Sequence, residues 1–346
     1  MTQPFIIGLS ADFRSQGLSE VEGYVKELLA GSEGVTYEWL PDMGDVARAD
    51  AIDQVDAVLS LGIGYSPASF EGLERLALIA RWGVGYDMIA LDACTAAGVA
   101  VAITPGGIGP SVAEGALTLA LALLKRLPEK DRAVRGGLWR GDLPEFGHTT
   151  SGIVIGSIGL GNIGADFMRL AGVFRFPRRL AHDPFVAPER AQELGVELVD
   201  LDALLGECDV VAVNCPLNEH TRGLIGAREI GLMKTTAYLV NTARGPIVDQ
   251  VALTAALQEG RLAGAALDVL EQEPPDPGDP LLALDNVILA PHAIAWTQEM
   301  MWDVTAEAIG HCLTLARGEV PQHVVNRSVL DHPLFQAKRE RFAGIL

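Results

Sequence analysis

Three residues whose side chains could take part in catalysis each follow a short apolar run of the sequence. Arg244 comes after AYLVNTA, Glu273 after GAALDVLEQ and His292 after NVILAP. In open α/β sheets ligands bind beyond the carboxyl ends of the strands, so polar residues at these places carry more weight than polar residues elsewhere. Together the three supply a cation for a carboxylate, a proton donor, and an anion that favours the donor's protonated form. The reduction of a 2-keto acid requires this set.

Taken singly, each of the three residues has an ordinary structural explanation. Arg244 is then an ion-pair residue, Glu273 a turn carboxylate, and His292 a core histidine with satisfied hydrogen bonds. The catalytic hypothesis therefore depends on the three occurring together.

A glycine pattern indicates a dinucleotide-binding site. Gly159, Gly161 and Gly164 form G-x-G-x-x-G between an apolar run and a helical pattern. Such glycines permit a tight turn, approach of the pyrophosphate and close helix–strand packing, and the helix N-terminus offers N–H groups. Asp183 ends the next predicted strand, about 20 residues on, where an acid binds the ribose of NAD. No basic residue follows it, which favours NAD over NADP; alternatively Asp183 only caps the turn before Pro184.

Alternating strands and helices position these residues. Short β-rich runs alternate with helical stretches up to about residue 103 and again from GIVIGSIGLG to VILAPH, which predicts βαβ units and parallel sheets. The segment TPGGIGPS (104–111) interrupts the pattern and is interpreted as a hinge or domain crossing. The tail from Thr297 begins with a helix and is predicted to pack on the first domain. The predicted domains are a discontinuous substrate domain of residues 1–106 and 297–346, and a nucleotide-binding domain of residues 107–296.

Composition and charge restrict the possible partners. The chain has 346 residues, a 49% hydrophobic fraction and a formal net charge of −19, which predicts a two-domain globular protein that binds neither nucleic acid nor an anionic membrane. No basic leader or long uninterrupted apolar run is present, and the four dispersed cysteines have no metal-ligand spacing. We therefore expect a cytoplasmic protein without a metal site.

The sequence resembles the D-isomer-specific 2-hydroxyacid dehydrogenases. The resemblance covers about two thirds of the chain in consistent order. It is carried by RWGVGYDMI, TPGGIGPSVAE, GSIGLGNIG, NCPLNEHTRGLI, YLVNTARGPIVD, GAALDVLEQEPP and VILAPH. It implies a Rossmann NAD-binding domain inserted in a flavodoxin-like substrate domain, and hydride transfer between NAD(H) and a small 2-keto or 2-hydroxy acid. Glyoxylate, hydroxypyruvate and phosphoglycerate-type substrates all fit this expectation.

The resemblance also implies a role for each matching residue. His292 would donate the proton, Glu273 would pair with it, and Arg244 would bind the carboxylate together with the N–H groups of Val84 and Gly85. The residues expected to bind the cofactor are Gly159, Gly161, Asn162, Ile163, Gly164, Asp183, Cys215, Pro216, Thr242, Ala243, Asp268 and His292. Asp268 is expected to contact the carboxamide, the alternative being an aspartate that bonds only to backbone. Trp296 is either a packing residue or a wall of the substrate pocket.

Several alternatives stay open at this stage. Formate dehydrogenases pair the histidine with glutamine, whereas position 273 is glutamate. Transcriptional co-repressors of the same fold retain the three catalytic residue types and bind NAD as a signal. Family members are commonly homodimers joined through the nucleotide-binding domain, with the helix 111–126 as the expected contact; burial of that helix within one subunit is the other explanation. Asn214 departs from the family, in which many members carry histidine.

Overall fold

The computed structural model describes residues 3–143 and 145–346. Its strands are β1 (Phe5–Leu9), β2 (Val35–Trp39), β3 (Ala57–Ser60), β4 (Leu78–Arg81), β5 (Ala100–Ala102), β6 (Val154–Ile158), β7 (Arg178–His182), β8 (Glu197–Leu198), β9 (Val210–Val213), β10 (Tyr238–Asn241), β11 (Gly264–Leu267) and β12 (Val287–Leu289). Its α-helices are α1 (Asp12–Ser15), α2 (Val21–Leu28), α3 (Ala49–Ile52), α4 (Leu91–Ala96), α5 (Pro105–Leu124), α6 (Leu127–Arg135), α7 (Asn162–Val173), α8 (Pro188–Glu193), α9 (Leu201–Glu207), α10 (Ala227–Leu232), α11 (Gln250–Gln258), α12 (Gln298–Ala316) and α13 (Pro333–Glu340).

The chain forms two compact units. Unit 1 comprises the described residues up to Ile108 together with Thr297–Leu346, and unit 2 is Gly109–Trp296. The division therefore falls after residues 108 and 296, whereas the sequence placed it after 106 and 296.

Unit 1 contains a five-stranded parallel sheet in the order β2-β1-β3-β4-β5, which is the flavodoxin-like order. Its strands are short and apolar, and β3, β4 and β5 are buried at every position, as expected for parallel strands covered on both faces. Helix α12 packs on this sheet, and its buried residues Met300, Val304 and Ala308 share one core with Phe5 and Ile7 of β1. The tail of the chain is thus part of unit 1.

Unit 2 contains a seven-stranded parallel sheet in the order β12-β11-β10-β9-β6-β7-β8. This is the doubly wound Rossmann order with one further strand, and the order reverses between β6 and β9. Ligands bind such sheets beyond the carboxyl ends of the strands at this reversal. The two sheets agree with the predicted fold class of two parallel-sheet α/β domains.

Helix α5 begins earlier than the helix 111–126 of the sequence prediction. The segment 104–111, interpreted as a hinge or domain crossing, contains the division between the units after Ile108, but it is helical: the helix begins at Pro105 and includes Pro110. The cause is distant in sequence: Glu307 of α12 accepts a hydrogen bond from the Gly107 N–H at 2.8 Å. An added Cβ at Gly107 would lie 2.6 Å from the backbone of Val304. Gly107 is therefore needed for close helix packing. The carboxylate of Glu307, which binds the first turn of α5, lies too far along the chain to be recognised from the local sequence.

By length and composition α5 is the one described helix that is apolar enough to cross a membrane, and 61% of that stretch is buried inside the protein. In unit 2 its residues Ala113, Ala116, Leu117 and Ala120 share a core with Phe167 of α7. This packing accounts for its apolar composition as a core helix.

Candidate active site

The glycine loop joins β6 to α7 at the reversal of strand order in unit 2. Gly159 has a φ of +94°, and an added Cβ would lie 2.8 Å from the Cys215 nitrogen. A Cβ at Gly164 would overlap the Gly159 carbonyl oxygen, whereas a Cβ at Gly161 would meet nothing within 4 Å. The outer glycines are thus required by the turn and by packing. At Gly161, the middle glycine, no neighbouring atoms cover the loop, so a ligand can approach the backbone there.

The first turn of α7 offers unpaired donors to that ligand. Gly161 is its N-cap, and Asn162 and Ile163 are its first two residues. The N–H groups of helical residues at these positions have no acceptor within the helix, and neither donates to any other described residue. Two N–H groups at the positive end of a helix dipole suit a pyrophosphate.

Asp183 directly follows β7 and fixes the glycine loop. Its Oδ2 accepts a hydrogen bond from the Leu160 N–H at 2.8 Å, and its Oδ1 accepts from the N–H groups of Phe185 at 2.9 Å and Val186 at 3.2 Å. The turn-capping alternative therefore describes part of what this side chain does. Each carboxylate oxygen can accept further hydrogen bonds, so ribose binding stays a prediction.

The loop after β9 packs against the glycine loop at the point where the strand order reverses. Cys215 and Pro216 lie here, and burial raises the pKa of the Cys215 thiol to about 11. The thiol is therefore protonated near neutral pH and serves as a small apolar wall. Asn214 donates a hydrogen bond to Ser157 at 2.9 Å, while its buried Oδ1 has no partner among the described residues. Asn214 is one position at which the sequence differs from many members of the family that it resembles.

The loop after β10 carries Thr242, Ala243 and Arg244. Asn241, which is 1% exposed, accepts a hydrogen bond from the Ala243 N–H at 3.0 Å and donates one to the Arg244 carbonyl at 2.9 Å. The Arg244 Nη1 donates to the Ala243 carbonyl at 2.8 Å. Sequence reasoning missed Asn241, although a buried asparagine at a strand end is the signal that identifies it.

Glu273 and His292 form a hydrogen-bonded pair. The His292 Nδ1 lies 2.7 Å from the Glu273 Oε2, and the Glu273 Oε1 accepts a hydrogen bond from the Leu270 N–H at 2.9 Å. Partial burial acts to raise the pKa of Glu273, but the bond from His292 and the nearby charge of Arg244 outweigh it, so that pKa lies below its ordinary value. Glu273 is therefore an anion beside the imidazole, as the sequence hypothesis requires.

Asp268 positions the backbone of His292. It is 5% exposed and follows β11, and its carbonyl accepts a hydrogen bond from the His292 N–H at 2.7 Å. Its Oδ1 accepts from the N–H groups of Ala293 at 2.9 Å and Ile294 at 3.0 Å. Burial raises the pKa of this carboxyl. These bonds are the backbone-only alternative, and its contact with the cofactor stays a prediction.

The segment after His292 is held against α5 within unit 2. The Ser111 hydroxyl donates to the Ala295 carbonyl at 2.7 Å, and Ile294 packs on Gly115. Trp296, at the end of this segment, is 38% exposed. Its side chain is therefore partly available to a ligand, and its role in a substrate pocket stays a prediction.

Val84 and Gly85 lie in unit 1, in the loop after β4, and their N–H groups donate to no described residue. The neighbouring Trp82 is 3% exposed and donates a hydrogen bond to Thr305 of α12 at 2.9 Å, so it belongs to the core. Within residues 3–143 and 145–346, no group of three or more His, Cys, Asp or Glu side chains is arranged to hold a metal ion.

Comparisons with known proteins identify relatives of this chain. The model of the D-isomer specific 2-hydroxyacid dehydrogenase NAD-binding domain matches residues 117–293. A glyoxylate reductase of Korarchaeum cryptofilum is 40% identical over 285 residues, which are 81% of this chain and 86% of that protein. A D-3-phosphoglycerate dehydrogenase of Archaeoglobus fulgidus is 41% identical over 257 residues, which are 74% of this chain and 48% of that protein.

Solved structures show the same fold. The D-lactate dehydrogenase of Aquifex aeolicus, solved with NAD and lactic acid, has a TM-score of 0.79 at 26% identity and covers 90% of this chain and 96% of its own. A glyoxylate reductase from Paecilomyes thermophila has a TM-score of 0.77 at 28% identity and covers 94% and 99%. The chain belongs to the D-isomer specific 2-hydroxyacid dehydrogenase family and is an NAD-dependent oxidoreductase that acts on a small 2-keto or 2-hydroxy acid.

Proposed function

We propose that the protein interconverts a small 2-keto acid of the glyoxylate or hydroxypyruvate kind and its D-2-hydroxy acid, with His292, Glu273 and Arg244 as the catalytic groups. The observation that carries this proposal is the 2.7 Å pair between the His292 Nδ1 and the Glu273 Oε2. The pair lies in unit 2, the unit that carries the glycine loop.

His292 is the proton donor to the substrate's carbonyl oxygen. Because its Nδ1 is engaged by Glu273, Nε2 is the nitrogen that carries the transferable proton. The negative charge of Glu273 favours the protonated imidazole and fixes the plane of the ring. NADH, when bound, supplies the hydride for the substrate's C2 carbon.

Arg244 binds the substrate's carboxylate and polarises its carbonyl. A guanidinium forms charge-assisted and often bidentate bonds with a carboxylate. The N–H groups of Val84 and Gly85, which donate to no described residue, are donors for a substrate carboxylate. Trp296 contributes an apolar wall for the substrate's side chain.

The cofactor is held by the residues of unit 2. Gly159, Gly161, Asn162, Ile163 and Gly164 accommodate the pyrophosphate, because the loop is open at Gly161 and α7 begins there. Asp183 accepts hydrogen bonds from the ribose hydroxyls and would repel a 2′-phosphate. NAD is therefore preferred over NADP. The remaining cofactor residues, which line the adenosine and nicotinamide sites, are Cys215, Pro216, Thr242, Ala243, Asp268 and His292.

A panel of 2-keto acids tests this function. The protein is mixed with NADH or NADPH and with glyoxylate, hydroxypyruvate, pyruvate, phosphohydroxypyruvate or a bulkier 2-keto acid, and the loss of reduced cofactor is followed. We expect the largest kcat/KM with NADH and either glyoxylate or hydroxypyruvate. If no acid oxidises NADH, the proposed reduction is refuted and the alternative of an NAD-sensing protein, like the co-repressors of this fold, is favoured. Equal kcat/KM values with NADPH would refute the role of Asp183.

We also propose a cytoplasmic homodimer joined through unit 2. A set of large apolar side chains is exposed on α6 and the segment after it: Leu127, Val134, Leu138, Trp139 and Phe146. A second copy of the chain covers apolar surface of this kind. The net charge of −19 is the reason to expect no nucleic-acid partner. Light scattering of the wild type and of Trp139→Asp tests the dimer, because the charged variant should be monomeric.

A further inference from the structure

Arg81 is a buried cation at the end of β4 in unit 1. It is 8% exposed, and arginine is rarely buried unless its donors are satisfied. Its Nη1 donates to the carbonyls of Ser60 at 3.1 Å and Trp82 at 3.0 Å, and its Nε donates to the carbonyl of Gly85 at 2.8 Å. The guanidinium therefore binds the backbone of the loop that follows its own strand.

Thr104 holds the same loop at a second point. Its N–H donates to the Gly83 carbonyl at 3.0 Å, and its hydroxyl accepts a hydrogen bond from the Gly83 N–H at 2.8 Å. The carbonyls of Trp82, Gly83 and Gly85 are consequently all engaged by Arg81 or Thr104.

These bonds determine where the N–H groups of Val84 and Tyr86 point. In a planar trans peptide the N–H and the C=O point in opposite directions. Because Thr104 binds the Gly83 carbonyl, the Val84 N–H points away from Thr104. Because Arg81 binds the Gly85 carbonyl, the Tyr86 N–H points away from Arg81. The N–H groups of Val84, Gly85 and Tyr86 donate to no described residue.

We propose that Arg81 is a positioning residue for the substrate's carboxylate. It holds the loop 82–86 so that three successive N–H groups remain available to an anion. The positive charge of its buried guanidinium also attracts that anion, since a charge in the protein interior acts more strongly than one in water. The inference rests on the proposed binding of the carboxylate by Val84 and Gly85, and it adds Tyr86 to the donors.

Lys338 provides a matched control. It is a second buried cation of unit 1, at 5% exposure, and its Nζ donates to the carbonyls of Leu76 at 2.7 Å and Ala97 at 2.8 Å. Lys338→Met therefore removes the same kind of cation–carbonyl contact from the same unit, but away from the loop 82–86.

The test compares Arg81→Met, Arg81→Lys and Lys338→Met with the wild type. Steady-state kinetics with the best 2-keto acid of the panel give kcat and KM, fluorescence titration gives the Kd of NADH, and thermal melting gives Tm. Arg81→Met removes the hydrogen bonds from the charged guanidinium that hold the loop 82–86. The KM for the acid should therefore rise about tenfold or more. The Kd of NADH and the pH profile of kcat should stay as in the wild type. Arg81→Lys should give an intermediate KM, and Lys338→Met should lower Tm with an unchanged KM.

The outcomes separate this inference from the proposed function. A wild type that reduces no 2-keto acid refutes the proposed function and the inference with it. An active wild type with an unchanged KM in Arg81→Met refutes the inference alone, as does an equal rise of KM in Lys338→Met, which would reflect general destabilisation. If Arg81→Met does not fold, Arg81→Lys decides: an unchanged KM overturns the role of Arg81.

Discussion

His292 combines an uncommon backbone conformation with a fixed side chain. Its φ is +55°, a region that residues other than glycine rarely occupy. The Asp268 carbonyl holds its N–H, and Glu273 holds its Nδ1. Backbone conformations of this kind persist when surrounding contacts impose them, and they cluster at active sites. The ring is thereby oriented before any substrate binds, with Nε2 as the nitrogen left for proton transfer.

Replacing Glu273 by glutamine should change the pH dependence of the reduction. The pKa of Glu273 is held down by its bond with His292, which means that the ionised carboxylate and the protonated imidazole stabilise each other. Glutamine keeps a hydrogen bond but removes the negative charge on which this mutual stabilisation depends. The alkaline limb of the kcat/KM profile should therefore move to lower pH, with a loss of about 100-fold in kcat/KM at neutral pH.

Glu271→Gln is the control for this variant. Glu271 is exposed two positions away and has no proposed part in catalysis, so its profile should match that of the wild type. If the alkaline limb of Glu273→Gln coincides with that of the wild type, Glu273 does not act on the proton donor.

At the scale of elements, the order of the strands brings the catalytic residues together. Strands β10, β11 and β12 are neighbours in one parallel sheet, so the loops after them emerge at the same edge. The loop after β10 packs tightly on the loop after β11: an added Cβ at Gly245 would overlap the Leu270 carbonyl. The Leu270 N–H in turn donates to Glu273. Gly245 thus sets the distance between the loops of Arg244 and Glu273.

Gly245→Ala should therefore impair both stability and catalysis. The new methyl group must displace the Leu270 backbone, which we expect to cost about 3 kcal/mol in the free energy of unfolding. The displacement should lower kcat more than it weakens NADH binding. Urea unfolding, kcat and the Kd of NADH measure these effects.

Gly231→Ala serves as the matched control, because an added Cβ there meets nothing within 4 Å and the residue lies in helix α10. Alanine should stabilise that helix by up to about 1 kcal/mol without affecting kcat. A Gly245→Ala enzyme with the stability and kcat of the wild type would show that the two loops are not tightly packed.

The sequence predicts the regular elements better than the contacts between them. The apolar runs before Arg244, Glu273 and His292 are β10, β11 and β12 or lead out of them, since the hydrophobic pattern is local. The division between the units lies inside the predicted crossing 104–111. Its helical conformation was not predicted, because Glu307 and Val304, some 200 positions away, stabilise the start of α5. The parts of Asn241 and Asp268 in holding catalytic loops also depend on hydrogen bonds that no local pattern shows.

At the scale of the whole molecule, stability should depend on pH through Lys338. Burial lowers the pKa of Lys338 from 10.5 to about 8 in the folded chain. Between these values the unfolded chain keeps a proton that the folded chain has released, so the free energy of unfolding rises with pH across this window. Below about pH 8 both states are protonated and this contribution is absent.

Lys338→Met removes that dependence. The difference in the free energy of unfolding between the wild type and the variant should therefore grow in favour of the wild type from about pH 8 to 10.5. Urea unfolding at several pH values measures it. A difference that is constant across the window would mean that the pKa of Lys338 is not lowered by burial.

The central claim, that His292 transfers a proton in an NAD-dependent reduction, is tested most directly by His292→Asn. Asparagine keeps a polar side chain of similar reach but does not donate a proton from a charged form. The measurement is the rate of NADH oxidation with saturating 2-keto acid, together with the Kd of NADH for the same variant. We predict that kcat falls by about 1000-fold or more, while the Kd of NADH changes by less than about threefold. A variant that retains the kcat of the wild type, or that loses NADH affinity in the same proportion as kcat, would contradict the account.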